Sequence, residues 1–87
     1  MDKKDLYDDF VANLPERSRQ FLALVKSRGT VTISEAMDAL DVSVPKAMGG
    51  ITGSIGRWAP ARGIDVPYEN VTVDGERAWT WRGLDYT

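Results

Sequence analysis

The sequence of 87 residues contains neither cysteine nor histidine. Without these residue types the chain lacks a thiol nucleophile, a Ser-His-Asp triad and the usual zinc ligands, which excludes many enzyme mechanisms. A disulfide framework is excluded as well, so the sequence does not constrain the redox compartment. We therefore expect a protein that binds rather than catalyses, with no cofactor and no metal.

Long apolar runs and a large excess of charge are also lacking. Because there is no run of about 20 apolar residues and no signal-peptide pattern, we expect a cytoplasmic protein without membrane contact. A net charge of −2, from 13 acidic and 11 basic residues, argues weakly against a generic nucleic-acid coat. With 43% hydrophobic and 28% charged residues, residues 1–87 have the composition of one small soluble domain.

Apolar residues recur at helical spacing in the first half of the chain. A short helix is predicted over residues 1–13, which either covers the core or contacts a second copy in a homodimer. A second helix is predicted over residues 15–28, with Gly29 in the position of a left-handed C-terminal residue. Thr32 and Glu35 form the pattern of a capping box, which begins a third helix.

The segment of residues 43–59 has the clearest apolar face. Ser43 is expected to cap this helix, and Pro60 and Gly63 are expected to end it. The side opposite the apolar face contains glycines and two cations, namely Lys46, Gly49, Gly50, Gly53, Gly56 and Arg57.

The last part of the chain changes to a period of two. Two alternating runs, residues 67–73 and 76–81, flank Asp74-Gly75, which is a strong hairpin signal. A two-residue turn places the two valines of the first run on the face opposite the two tryptophans of the second. A longer loop with a bulge places all four together, and we expect this loop because it buries more apolar area.

One segment resembles the helix-turn-helix core of winged helix-turn-helix proteins, Glu-Leu-Ala-x-x-Leu-Gly-Val-Ser. It is Thr32-Ile33-Ser34-Glu35-Ala36-Met37-Asp38-Ala39-Leu40-Asp41-Val42-Ser43-Val44-Pro45-Lys46. Leu40 matches the buried leucine, Val42 the turn residue and Ser43 the cap. Asp41 replaces the usual glycine, and Ala36-Met37 inverts the usual large-then-small order. Three helices followed by a hairpin are also the element order of that superfamily.

This resemblance implies an α+β winged helix-turn-helix domain with three main helices, a C-terminal β-hairpin and a short extra N-terminal helix. It implies a small transcriptional regulator that contacts duplex DNA with the helix at 43–59 and the hairpin at 66–82, acting as a homodimer. Residues 42–64 contain three cations and no acid, which agrees with this expectation. The predicted DNA-binding residues are Ser43, Lys46, Gly49, Gly50, Thr52, Gly53, Ser54, Arg57, Arg62 and Arg77.

The helical glycines allow three interpretations. Each glycine costs about 1 kcal/mol of stability relative to alanine inside a helix, so a close approach to the backbone is one explanation. The approaching group is either DNA phosphate or a second helix, as in a homodimer through the glycine face. The third interpretation is that the helix breaks at the glycines.

The hairpin also leaves alternatives open. Its acids Asp65, Glu69, Asp74 and Glu76 argue against insertion of a wing into DNA. Arg77 and Arg82 either pair with these acids or contact phosphate, and Tyr68, Trp79 and Trp81 either cover the core or stack on bases. The alternative function is a protein-interaction module that uses the glycine-rich helix face or the acidic hairpin.

Overall fold

Four helices and one three-stranded antiparallel sheet are formed by residues 2–87, which are the residues that this computed structural model describes. The helices are α1 (Lys3–Asn13), α2 (Glu16–Arg28), α3 (Ile33–Ala39) and α4 (Pro45–Ala61). The strands are β1 (Thr30–Thr32), β2 (Tyr68–Val73) and β3 (Glu76–Trp81), with β3 in the centre of the sheet. The domain is therefore of the α+β class, and the expected hairpin is extended to three strands by β1.

The helix expected over residues 1–13 is present from Lys3 onward, and Met1 lies outside the described residues. The Asp2 carboxylate accepts a hydrogen bond from the Asp5 amide at 2.9 Å, which caps the first turn. Tyr7 and Phe10 are buried, so α1 contributes to the core of its own chain. Its role in a homodimer stays a prediction.

Local signals around α2 and α3 are confirmed. Gly29 ends α2 with a φ of +84°, a conformation that favours glycine. Thr32 and Glu35 form both hydrogen bonds of the capping box at the start of α3. Asp41 follows α3 with a φ of +54°, which Asp tolerates better than most residues.

Two expectations about α4 are wrong at its boundaries. Val44, not Ser43, is the N-cap, and no side chain among residues 2–87 caps the helix. The residue before a proline is pushed into an extended conformation, and Pro45 lacks the N–H that a capping serine would satisfy. Pro60 lies within the last turn and does not end the helix, which ends at Ala61 with Arg62 as C-cap. Gly63 follows the C-cap with a φ of +77°.

The interpretation that α4 breaks at its glycines is also wrong. The helix is continuous from Pro45 to Ala61. Its apolar face buries Met48, Ile51, Ile55 and Ala59 against the core, and this packing outweighs the low helix propensity of glycine.

The expected long loop in the hairpin is wrong as well. Val73 pairs with Glu76, so the loop is the two-residue turn Asp74-Gly75. Both residues have positive φ, +52° and +78°, which is the signature of a type I′ turn. Val71 and Val73 consequently lie on the face opposite Trp79 and Trp81.

The core explains why the valines are not needed on the tryptophan face. Tyr68 lies opposite Trp81 on that face, and the ring of Phe21 from α2 contacts Tyr68 and Trp79 with centroid distances of 5.4 and 5.0 Å. Val31 of β1 is buried beside Trp79. The aromatic residues fill the space between the sheet and α2.

Residues after β3 close the domain next to α1. The ring of Tyr86 packs edge-on against Tyr7 with a centroid distance of 6.0 Å. Its hydroxyl accepts a hydrogen bond from the Asp65 amide at 3.0 Å.

Within residues 2–87, no helix combines the length and the apolar character that crossing a bilayer requires.

Candidate nucleic-acid interface

A groove of about 290 Å³ separates α4 from the β2–β3 hairpin. Its lining residues are Thr52, Gly53, Gly56, Val66, Tyr68, Asn70, Arg77 and Trp79. The groove continues onto the exposed side of α4, where glycines and cations lie at helical spacing. We call the combined surface the α4–hairpin face, formed by Lys46, Gly49, Gly50, Gly53, Gly56, Arg57, Asn70 and Arg77.

Three glycines on this face have no structural requirement within residues 2–87. A Cβ atom added at Gly49, Gly50 or Gly56 would meet no heavy atom within 4 Å, apart from the chain neighbours and the helix's own backbone. None of the three has a positive φ. The folded chain would therefore accept alanine at each position, and the glycines leave the helix backbone open to approach from outside.

Gly53 is the one of the four α4 glycines at which an added Cβ would contact another side chain. A Cβ at this position would lie 3.6 Å from Nη1 of Arg57, because the arginine side chain folds back along the helix toward Gly53. The guanidinium group of Arg57 is thereby located beside the groove, since Gly53 is also one of the lining residues.

The cations of this face have no acidic partner within residues 2–87. Ion pairs in that part of the chain join Lys4 to Asp8, Arg28 to Glu35 and Arg82 to Glu69. None of them involves Lys46, Arg57 or Arg77. The positive charge of the α4–hairpin face is therefore available to an external anion.

Two of the four hairpin acids, Glu69 and Glu76, lie on the other side of the sheet. Glu69 pairs with Thr80 and Glu76 with Val73 across the strands, whereas Asn70 and Arg77 share the opposite face with Trp79. Because side chains alternate along a strand, the sequence neighbours Glu76 and Arg77 point in opposite directions.

Glu76 has a structural role at the end of the hairpin. Its Oε1 accepts a hydrogen bond from the backbone N–H of Ser34 at 3.2 Å, and the Ser34 hydroxyl donates to the same oxygen. The carboxylate thus contacts the first turn of α3, where the helix dipole favours negative charge. Glu76, one of the four acids whose presence argues against DNA contact by the hairpin, is thus held away from the α4–hairpin face.

The two hairpin arginines have different surroundings. Arg82 pairs with Glu69 at 3.8 Å and donates to the Val66 carbonyl at 3.1 Å, so pairing with an acid is the alternative observed for this residue. Arg77 instead lies 5.6 Å from the ring centre of Trp79, and its side chain is exposed in the groove.

Two of the three hydroxyl groups predicted to contact DNA are already engaged in α4. Thr52 donates to the Met48 carbonyl at 2.9 Å, and Ser54 donates to the Gly50 carbonyl at 3.3 Å. Each can still accept a hydrogen bond, but its proton is used inside the helix.

Two predicted site residues lie outside both α4 and the groove. Ser43 precedes α4 and is exposed. Arg62 follows the helix, and its guanidinium carbon lies 5.7 Å from the ring centre of Trp58. The groove therefore brings Gly53 and Gly56 together with Arg77, and Thr52 lies at its wall. Arg57 lies beside Gly53, while Lys46, Gly49 and Gly50 lie nearer the start of α4.

Tyr68 and Trp79 line the groove with only 7% and 1% of their surface exposed. Burial raises the pKa of Tyr68 to about 12, although the positive charge of Arg77 acts in the opposite direction. Both rings belong to the core, as does most of Trp81. Of the two alternatives for these aromatic residues, covering the core is the one observed.

Asn70 is the polar groove residue that was not predicted from the sequence. It lies on β2 opposite Trp79 and is exposed. The expected bulged loop would place Asn70 on the face opposite the tryptophans, because the face of each β2 residue depends on the register. Asparagine is uncommon in strands, and this was the available signal.

Residues 2–87 contain no group of three acidic side chains placed to hold a metal ion. No protein-family model, no curated protein and no solved structure matches this chain.

Proposed function

We propose that this domain binds duplex DNA through the α4–hairpin face, as a small transcriptional regulator of winged helix-turn-helix type. The order of α2, α3 and α4 followed by a β-hairpin supports this assignment. The capping box at Thr32 and the left-handed turn at Asp41 support the helix-turn-helix resemblance of the α3–α4 segment. Binding without catalysis is part of the proposal.

The observation that carries the proposal is the segregation of charge across the hairpin. Lys46, Arg57 and Arg77 lie on one face without an acidic partner among residues 2–87, while Glu69 and Glu76 lie on the opposite side of the sheet. A polyanion approaching the α4–hairpin face therefore meets unpaired cations and bare helix backbone. The net charge of the whole protein, −2, does not describe the electrostatic potential of this face.

Contacts to phosphate dominate the proposed interface on α4. This helix has no Asn, Gln or second exposed Arg on the face, and these are the side chains that pair with base edges. Its glycines allow the sugar–phosphate backbone to come close to the helix, and its two cations neutralise phosphate charge. Such contacts position the protein without selecting a sequence.

Substituting the two cations of α4 tests the proposal. Fluorescence polarisation with a random-sequence duplex measures affinity over a series of salt concentrations. Lys46→Ala and Arg57→Ala are each expected to weaken binding and to reduce the slope of log affinity against log salt by about one unit.

Lys4→Ala is the matched control, because it removes the same charge from α1, where Lys4 pairs with Asp8. It should change the slope by much less than either α4 variant. Unchanged slopes in both α4 variants exclude this helix from the interface. Absence of binding at low salt, with the chain folded, rejects DNA binding and favours the protein-interaction alternative.

A homodimer is a further part of the proposal, because one such module contacts only a short DNA site. Size-exclusion chromatography with and without duplex tests it. A mass of two chains on one duplex is expected, and one chain per duplex at saturation contradicts the dimer.

A further inference from the structure

Asn70 occupies an unusual position in the sheet. It lies opposite Trp79, on the face where Tyr68, Trp79 and Trp81 cover the core. Strands disfavour asparagine, and an apolar or β-branched residue would fit this face better. A residue that conflicts with its local structure often serves a function.

The amide of Asn70 is free to bind another molecule. Its side chain makes no hydrogen bond with any of residues 2–87 and is exposed in the groove. Across the groove lie Gly53 and Gly56, which have no side chains to occupy the space in front of the amide. Arg77 lies on the same side of the hairpin and supplies a neighbouring positive charge.

We infer that Asn70, rather than a side chain of α4, selects a base in the bound duplex by pairing its amide with the N6 and N7 edge of adenine. This inference rests on the proposed function and assigns base recognition within the same face. An asparagine amide offers one donor group and one acceptor, and adenine presents the complementary pair in the major groove. Arg77 then contacts the adjacent phosphate, and α4 positions the duplex.

Selection from a randomised duplex pool tests the inference with the full chain. Wild-type protein should enrich sites with adenine at one position, and Asn70→Ala should lose that enrichment. Asn70→Asp should change the preferred base from adenine to cytosine, because a carboxylate accepts from the cytosine amino group. Thr72→Ala is the matched control, since Thr72 is exposed on the same face of the same strand.

A chemical substitution in the DNA locates the contact. Replacing the selected adenine by 7-deazaadenine removes N7 and leaves the Watson–Crick edge intact. Wild-type affinity should fall roughly fivefold to 100-fold, the range for a bidentate base contact, whereas Asn70→Ala should show no further loss. Thermal unfolding of each variant confirms that it is folded.

The outcomes separate this inference from the proposed function. If wild-type protein binds duplex but Asn70→Ala keeps the same base preference, Asn70 does not select the base and DNA binding stands. Duplex binding without any base preference rejects the inference in the same way. If the folded wild-type chain binds no duplex, the proposed function itself fails.

Discussion

Gly49, Gly50 and Gly56 lower the intrinsic stability of α4, although neither backbone conformation nor packing within residues 2–87 requires them. Glycine in a helix loses more conformational entropy on folding than alanine does. Selection for stability alone would therefore favour alanine at these exposed positions. Their presence on the same face as Lys46 and Arg57 is consistent with a partner that approaches the helix backbone.

Replacing these glycines should change stability and binding in opposite directions. Gly49→Ala, Gly50→Ala and Gly56→Ala are each expected to raise the free energy of unfolding by roughly 0.5–1 kcal/mol, measured by urea denaturation. Each should weaken duplex binding, because the added methyl group lies between the helix and the phosphate backbone.

Gly63→Ala provides the contrast. Gly63 has a φ of +77° at the end of α4, so alanine there should destabilise the protein and leave the α4–hairpin face unchanged. Stabilised Gly→Ala variants of α4 that bind duplex as tightly as wild type would show that the partner does not approach the helix closely.

The type I′ turn of the hairpin also allows a change of charge without a change of register. Asp74 has a φ of +52°, a conformation that asparagine adopts at least as readily as aspartate. Asp74→Asn should therefore preserve the fold and remove the exposed acid at the end of the hairpin. We expect about twofold tighter duplex binding at low salt, with the gain disappearing as salt screens the charge.

Asp85→Asn is the control for Asp74→Asn, because it makes the same charge change in the exposed segment after β3. Equal gains in both variants would mean that net charge, and not the position of the hairpin acid, determines affinity.

Elements specified by nearby residues could be predicted from the sequence, whereas features set by tertiary packing could not. The end of α2 at Gly29 and the capping box of Thr32 depend on local hydrogen bonds and φ angles. The hairpin register depended on which residues of α2 and β1 fill the tryptophan face, and this is a non-local property. Because the expected register was wrong, the position of Asn70 beside Trp79 was not predicted.

Most of the candidate site on α4 followed from helical periodicity. A spacing of 3.6 residues placed the glycines, Lys46 and Arg57 on one face, and the continuous helix keeps them there. Placing Arg77 across a groove from Gly53 and Gly56 required the structure, because the sequence contains no signal for how the hairpin packs on α4.

At the scale of the whole molecule, two buried tyrosines predict how stability depends on pH. Burial raises the pKa of both Tyr7 and Tyr68 to about 12, and the carboxylate of Asp8 adds to the increase at Tyr7. Below pH 10.0, the tyrosine pKa in the unfolded chain, both hydroxyl groups keep their protons in the folded and in the unfolded state. In that range these tyrosines do not make stability depend on pH. Between pH 10.0 and about 12 the unfolded chain releases tyrosine protons that the folded chain retains, so stability falls as pH rises.

Urea unfolding at a series of alkaline pH values measures this effect. Each tyrosine should account for a loss of at most about 2.7 kcal/mol in the free energy of unfolding, the equivalent of two pKa units, and solvent screening reduces this value. Tyr7→Phe and Tyr68→Phe remove the titrating groups, so each variant should show a flatter dependence than wild type. An unchanged slope in the double variant would assign the alkaline loss to other groups.

The buried hydrogen bond between α2 and α4 bears on the motion of the proposed interface. The hydroxyl of Ser18, which is 1% exposed, donates to the Ile51 carbonyl at 2.9 Å. Ile51 lies near the middle of α4, between two pairs of glycines. Local opening of this helix should therefore begin at its ends and reach the middle last. In native-state hydrogen exchange, amides around Ile51 and Ile55 should exchange most slowly, and DNA should protect mainly those of the first turns.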